Sequence, residues 1–134
     1  MNREIEFRGF DGTKWYYGDL EYNRKADVAR IHTYKKDGSY DKQYSVNPDT
    51  VGQFTGMTDK HGVKVFEGDI VYVYDFTSIY ASKYRGVVKM YRGSWCVEYK
   101  DSIFDMVAHP RLFFDDFADR KTEVVGNIHD AKQA

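Results

Sequence analysis

The chain has 134 residues, of which 42% are hydrophobic and 17% aromatic, and it carries 20 basic against 21 acidic residues. This length predicts a single domain, and the net charge of −1 excludes a whole-molecule field that would attract nucleic acid or an anionic membrane. The single cysteine, Cys96, excludes an internal disulfide and favours a reducing compartment.

The amino-terminal residues 1–8 alternate charged and bulky side chains and lack the apolar core of a signal peptide. Nor does the sequence contain a run of about 18 apolar residues, the length that spans a bilayer. We therefore expect a cytoplasmic protein that has no membrane partner.

Turn sequences divide the first half of the chain into segments in which apolar and polar residues alternate, a pattern typical of β-hairpins. The clearest turns are Asp11-Gly12 and Lys36-Asp37-Gly38-Ser39. Pro48 ends the second hairpin, because proline cannot donate to a strand ladder. The strands predicted here cover residues 4–8, 15–20, 28–34, 40–46 and 53–55, and further turns are predicted at 23–27 and 58–62.

The second half begins with the most regular strand pattern of the chain. Residues 70–74 are five β-branched or aromatic residues that directly follow the turn Glu67-Gly68-Asp69. Residues 84–91 and 94–100 flank Arg92-Gly93 and predict another hairpin.

One helix is predicted over residues 110–120, where proline can occupy the first turn and phenylalanines recur at three- and four-residue spacing. Residues 122–128 predict a last strand, and residues 130–134 a frayed tail. About eight short strands with one short helix predict a mainly β fold, either a small bent sheet or a partly open barrel with an SH3-like element. No linker or internal repeat interrupts the chain, so we expect one β domain over residues 1–134.

One long block, VGQFTGMTDKHGVKVFEGDIV at residues 51–71, resembles the signature stretch of the YopX family of phage and prophage proteins. The likeness extends to residues 3–8, 15–20 and 124–128, so the blocks cover almost the whole chain. The resemblance implies a mainly β structure, a phage or prophage origin, and synthesis in the cytoplasm of a bacterial host. It implies no activity and supplies no catalytic or ligand residue.

Three details depart from the family pattern. His61-Gly62 stands where Asn-Gly is usual, Val65-Phe66 stands where Ile-Tyr is usual, and His129-Asp130 replaces the usual tail. These changes preserve turn and strand character.

The glycines and aspartates of these blocks also have a structural interpretation. Asp59 and Asp69 lie in turns, where aspartate commonly accepts hydrogen bonds from backbone amides. Five glycines end apolar segments, where a positive φ or a close backbone approach is most often required; they are Gly52, Gly56, Gly62, Gly68 and Gly126.

The residue types that carry catalysis or bind metals are scattered. The four histidines lie far apart and lack the close ligand pair of a zinc site; they are His32, His61, His109 and His129. Cys96 is predicted to be a small buried hydrophobe, and the carboxylates of residues 115–119 form the solvated face of the predicted helix. No glycine-rich phosphate loop is present. We therefore expect no metal, no cofactor and no enzymatic activity.

One stretch departs from the even distribution of charge, since residues 76–97 contain no acidic residue. Small β-barrels bind single-stranded nucleic acid with basic side chains interleaved with aromatic rings. Two points weigh against nucleic-acid binding by this stretch. Alternation places Arg85 and Lys89 on the strand face opposite Tyr84, which separates cations from a stacking ring, and basic residues at a sheet edge also serve to prevent pairing with other strands. The candidate binding surface comprises Lys83, Arg85, Lys89, Arg92, Tyr91 and Trp95.

Three functions are compatible with the sequence. The first is a phage-encoded binding protein that self-associates or has a protein partner, because exposed tyrosine and tryptophan are typical of such contacts. The second is a nucleic-acid-binding barrel that uses the basic stretch. The third is an enzyme whose site is assembled from scattered polar residues.

Overall fold

The computed structural model describes residues 3–75, 82–99, 111–112 and 122–130. These residues form a mainly β structure, which confirms the predicted fold class. Its strands are β1 Phe7–Phe10, β2 Trp15–Asn23, β3 Val28–Tyr34, β4 Tyr40–Val46, β5 Gly52–Thr58, β6 Lys64–Phe66, β7 Asp69–Asp75, β8 Ser82–Tyr91, β9 Ser94–Tyr99, β10 Arg111–Leu112 and β11 Thr122–Asn127. One 3₁₀ helix, Pro48–Thr50, lies between β4 and β5.

Each predicted strand overlaps an observed one, and β3 and β4 begin and end at the predicted residues. The turn between β3 and β4 explains this agreement, because the Asp37 side chain accepts a hydrogen bond from the Ser39 amide at 2.9 Å and so fixes the turn where it was predicted. Gly38 in the same turn has a φ of 88°, which glycine adopts without steric cost. The prediction missed the two shortest strands, β6 and β10.

The predicted helix over residues 110–120 is wrong where the structure describes it. Arg111 and Leu112 form β10 and pair with Val97 and Cys96 of β9. Their backbone groups are satisfied by a neighbouring strand, a tertiary contact that residue spacing does not report. The other residues of that predicted helix lie outside the described residues.

The strands form two antiparallel sheets, with strand orders β4-β3-β2-β1-β5-β6 and β10-β9-β8-β7-β11. Each order has two end strands, so neither sheet closes into a barrel within the described part of the chain. Contacts between Cα atoms divide the chain into two compact units, residues 1–56 and 57–134. The single domain expected from the length stays a prediction.

The core of the first unit lies on one face of β3 and its neighbours. Ala29, Ile31 and Val46 are buried there, because alternate residues of a strand point to the same side. Gly18 permits a close approach of β2 to β3, since a Cβ atom at this position would lie 2.0 Å from the carbonyl oxygen of His32. The remaining alternate residues of β2 and β3 lie on the opposite face.

The core of the second unit is a cluster of valines from four strands: Val65, Val71, Val73, Val88 and Val97. Asp69, at the start of β7, accepts a hydrogen bond from the Phe66 amide at 2.8 Å, as predicted. Gly62 has the predicted positive φ, at 79°. At Gly126 neither a positive φ nor a close approach is present, so that prediction is wrong.

Asp59 connects the turn before β6 to β11. Its carboxylate accepts hydrogen bonds from the amides of His61 at 2.8 Å, Val63 at 2.9 Å and Val124 at 3.0 Å. Burial of this carboxyl acts to raise its pKa, but the three amides outweigh burial and leave the pKa of Asp59 below its usual value. The predicted role of Asp59 as an acceptor for turn amides is confirmed.

Candidate functional site

The binding surface predicted from the sequence lies on the β8–β9 hairpin. Arg85 is exposed on β8, whereas Lys89 forms an ion pair with Glu98 of β9. At the turn, the Arg92 guanidinium lies 5.3 Å from the centre of the Tyr91 ring, and both side chains are exposed. One of the predicted cations is therefore neutralised by an acid one residue beyond the acid-free stretch.

Trp95 does not join these cations. It packs against the valine core of the second unit, while Lys89 lies opposite Cys96 in the strand register. Since neighbouring residues of a strand point to opposite faces, Arg85 and Lys89 lie on the other face of the hairpin from Trp95. The side chain of Lys83 lies outside the described residues. The hairpin thus separates the aromatic ring expected to stack on bases from two of the cations expected to contact phosphates.

A second polar surface lies on the first unit, on the sheet face opposite the core. It is formed by alternate residues of β2 and β3 and by the first residue of β4. In the register of β2 and β3, Asp19 lies opposite His32, and Glu21 lies opposite Arg30. We call this surface the tyrosine face; it comprises Tyr17, Asp19, Glu21, Arg30, His32, Tyr34 and Tyr40.

Glu21 lies between two nitrogen-bearing side chains of β3. Its Oε2 accepts a hydrogen bond from Arg30 Nη1 at 3.0 Å, and its Oε1 lies 2.8 Å from His32 Nε2. The hydrogen bonds with His32 and then with Arg30 hold the pKa of Glu21 below its usual value. An ionised carboxylate only accepts hydrogen bonds, so neutral His32 carries its proton on Nε2 and its Nδ1 is an acceptor.

Two tyrosines of this face are held by hydrogen bonds. In that neutral tautomer, Nδ1 of His32 accepts a hydrogen bond from the Tyr40 hydroxyl, which lies 3.1 Å away. The Tyr34 hydroxyl donates to Oδ2 of Asp19 at 2.7 Å, which raises the pKa of Tyr34. The rings of Tyr34 and Tyr40 pack edge to face, with centres 5.9 Å apart.

The rings nevertheless remain open to solvent. Tyr17, Tyr34 and Tyr40 are 47%, 48% and 51% exposed. Glu21, His32 and Tyr40 form a hydrogen-bonded series of carboxylate, imidazole and hydroxyl, an order of groups that also occurs in nucleophilic catalysis. On this exposed sheet face the series orients the Tyr40 ring, and the face as a whole presents ordered aromatic and charged groups.

Other candidate chemistry is limited. No three side chains of His, Cys, Asp or Glu group as a metal site in the part of the chain that the structure describes. Cys96 is fully buried, as predicted, and burial raises the pKa of its thiol. His109 and the carboxylates of residues 115–119 lie outside the described residues. None of the helices described here is both long and apolar enough to cross a bilayer.

The signal for the tyrosine face is present in the sequence, although histidine spacing does not reveal it. Alternation over residues 28–34 places Arg30, His32 and Tyr34 on one side of a strand. The predicted turn at 23–27 makes β2 the neighbour of that strand, which allows acids on β2 to pair with bases on β3. The spacing between histidines does not reveal this surface, because the partners of His32 are the Glu21 carboxylate and the Tyr40 hydroxyl and not another histidine.

Comparison with known proteins identifies the family of this chain and a solved structure with a similar fold. A family model described as "YopX protein" matches residues 6–133. None of the curated proteins matches the chain. The crystal structure of protein EF1440 from Enterococcus faecalis is similar over 98% of this chain and 98% of its own, with a TM-score of 0.57 and 18% sequence identity. At this identity the likeness shows the fold alone.

Proposed function

This chain belongs to the YopX family, and we propose that it is a phage- or prophage-encoded binding protein that contacts a protein partner through the tyrosine face. In this proposal it is not an enzyme, and it acts in the cytoplasm of the bacterial host. The geometry of the tyrosine face supports the proposal, because family membership by itself brings no activity.

One observation carries the proposal: Tyr34 and Tyr40 are about half exposed and are already held in place by Asp19 and His32. Ordering a flexible side chain at an interface costs about 0.5–1.5 kcal/mol. A partner that meets ordered rings avoids most of this cost. Tyrosine and arginine are also enriched among residues that dominate the binding energy of protein interfaces.

The test is affinity capture from prophage-carrying bacteria with three forms of the tagged chain. The first is the wild type, and the second carries Tyr34→Ala with Tyr40→Ala. The third, Tyr22→Ala, is a matched control, because Tyr22 is 47% exposed and hydrogen-bonded to Asp27 but lies on the other face of β2. We expect the wild type and the control to capture the same protein and the double variant to lose it.

Two results would overturn this proposal. One is a wild-type chain that captures no protein, and the other is equal capture by all three forms. Light scattering identifies the case in which the partner is a second copy of the chain. The wild type would then have a dimeric or larger mass, and the double variant would be a monomer.

A second candidate function is binding of single-stranded nucleic acid by the β8–β9 hairpin. The exposure of Arg85 and Arg92 favours it, whereas the Lys89–Glu98 ion pair and the packing of Trp95 weigh against it. A gel-shift experiment with short single-stranded DNA or RNA should show binding that weakens as salt rises and is lost in the Arg85→Glu, Arg92→Glu variant. Absence of salt-sensitive binding would exclude this function.

A further inference from the structure

Asp19 is the acidic group of the tyrosine face whose hydrogen-bond donor is neutral. Its Oδ2 accepts a hydrogen bond from the Tyr34 hydroxyl, a neutral donor. No basic side chain among the described residues forms an ion pair with it. Glu21 differs, because Arg30 pairs with it at 3.0 Å and His32 lies against its other oxygen.

Exposed aromatic rings lie beside this carboxylate. Tyr34 contacts it directly through its hydroxyl. Tyr17 lies two residues before Asp19 in β2 and therefore on the same face of the sheet. A cation is attracted both to a carboxylate and to the face of an aromatic ring. Asp19 and its two neighbouring tyrosines thus combine both kinds of attraction at an exposed position.

We propose that the partner of the tyrosine face supplies an arginine side chain that pairs with Asp19 and packs against the tyrosine rings. This inference rests on the proposed function and names the chemistry of the partner. Glu21 is already paired with Arg30, whereas Asp19 has only a neutral donor, so Asp19 is the acid to which an incoming cation would pair.

Arginine fits this position better than lysine does. A guanidinium is planar, which suits both paired hydrogen bonds to a carboxylate and stacking on a ring. It is also more weakly hydrated than an ammonium group, so less hydration is lost when it enters the contact. Asp19 keeps one oxygen, Oδ1, that makes no hydrogen bond to the described residues, and this oxygen can accept from the incoming group.

The experiment uses short glycine-serine peptides of equal length that differ only in one central residue, which is arginine, lysine or glutamate. Each peptide is titrated into the isotope-labelled full chain, and amide NMR signals of residues 17–21 and 30–34 are followed. We expect the arginine peptide to shift these signals, the lysine peptide to bind more weakly, and the glutamate peptide to have no effect. Higher salt should weaken the binding of the arginine peptide.

Asp19→Asn is the decisive variant. Its amide oxygen can still accept from Tyr34, so the variant should fold, and we expect its affinity for the arginine peptide to fall about tenfold. Asp41→Asn is the matched control, because Asp41 is an exposed acid on β4, and it should bind as the wild type does.

Several results would overturn the inference. They are an arginine peptide that binds no better than the lysine or glutamate peptide, an affinity that Asp19→Asn leaves unchanged, and no binding of any peptide. The proposed function is tested separately. If Asp19→Asn still captures the cellular partner while Tyr34→Ala with Tyr40→Ala does not, the proposed function stands and the arginine contact is wrong.

Discussion

Asp11 accepts hydrogen bonds from the amides of Thr13 and Lys14, each at 2.7 Å, and so shapes the turn between β1 and β2. Asp59 acts over a longer range, since one of its donors is Val124, in β11. In both cases a carboxylate replaces water as the acceptor for amides that have no partner in a strand ladder. Single acidic residues therefore determine local backbone geometry in this protein.

Replacing Asp59 by alanine is expected to lower the free energy of unfolding by about 3 kcal/mol or more, because three amides lose a charged acceptor. Asp59→Asn retains one oxygen and should cost less. Urea denaturation of the purified chain measures both changes, and Asp41→Ala serves as a control at an exposed acid. A loss for Asp59→Ala no larger than the loss for Asp41→Ala would contradict the role of Asp59.

Gly18→Ala is expected to destabilise the chain by about 3 kcal/mol or more, since its Cβ would overlap backbone rather than a movable side chain. The nearest atom would be the carbonyl oxygen of His32, at 2.0 Å. Gly126→Ala is the matched control, because the nearest atom to its added Cβ lies 4.0 Å away. Thermal unfolding should show a lower Tm for Gly18→Ala alone, and equal Tm values for the two variants would argue against a close approach at Gly18.

At the scale of secondary-structure elements, pairing between strands decides which side chains meet. In the β8–β9 hairpin, Val88 lies opposite Val97 in the core, while Lys89 on the other face reaches Glu98. Composition correctly identifies residues 76–97 as free of acids. It does not show that β9 places Glu98 beside Lys89. The predicted cationic surface is therefore smaller than its sequence indicates.

The pairing of Lys89 with Glu98 is expected to contribute little to stability. Both side chains retain contact with solvent, and such pairs are worth about 1 kcal/mol or less. A double-mutant cycle with Lys89→Met and Glu98→Gln should give a coupling of this size that shrinks as salt is added. A coupling that salt leaves unchanged would show a pair shielded from solvent.

At the scale of the whole molecule, the charge is balanced in each compact unit. Residues 1–56 carry nine basic and nine acidic residues, and the remainder of the chain has one more acid than base. Neither unit therefore has a net field strong enough to direct a charged partner. The proposed recognition of a partner therefore relies on a local arrangement of side chains, the tyrosine face.

Acid is expected to destabilise the folded chain. Where the pKa of a carboxyl is lower in the folded state, the unfolded state binds more protons as the pH falls. Stability should therefore be complete above the usual carboxyl pKa, about 4, and decline as the pH falls through the lower folded-state values. The carboxyls with a lowered pKa are those of Asp11, Glu21, Asp37, Asp59 and Glu123.

The urea midpoint, followed from about pH 7 down to about pH 2, measures this dependence. Asp59→Asn should have a shallower decline than the wild type, because one of the depressed carboxyls has been removed. Stability that rises on acidification would mean that the folded state binds the additional protons instead.

The candidate site could be predicted only in part. Alternation correctly placed Arg85 and Lys89 on one strand face, whereas Trp95, which was predicted to belong to the binding surface, packs against the core. The tyrosine face combines side chains from three strands, and His32 gained its role from Glu21 and Tyr40, which lie on its neighbours. No single residue type identifies such a site in the sequence, because the register between β2, β3 and β4 brings its side chains together.

The sequence alone determined the approximate position of most strands and both ends of β3 and β4, because turn aspartates, glycines and Pro48 control the backbone within a few residues of themselves. It also determined which residues share a face of a strand. Only the tertiary structure decided which strands are neighbours, which face is buried, and that Arg111 and Leu112 extend β9's sheet. These outcomes depend on contacts between residues far apart in the chain, and alternation defines two faces without saying what each will meet.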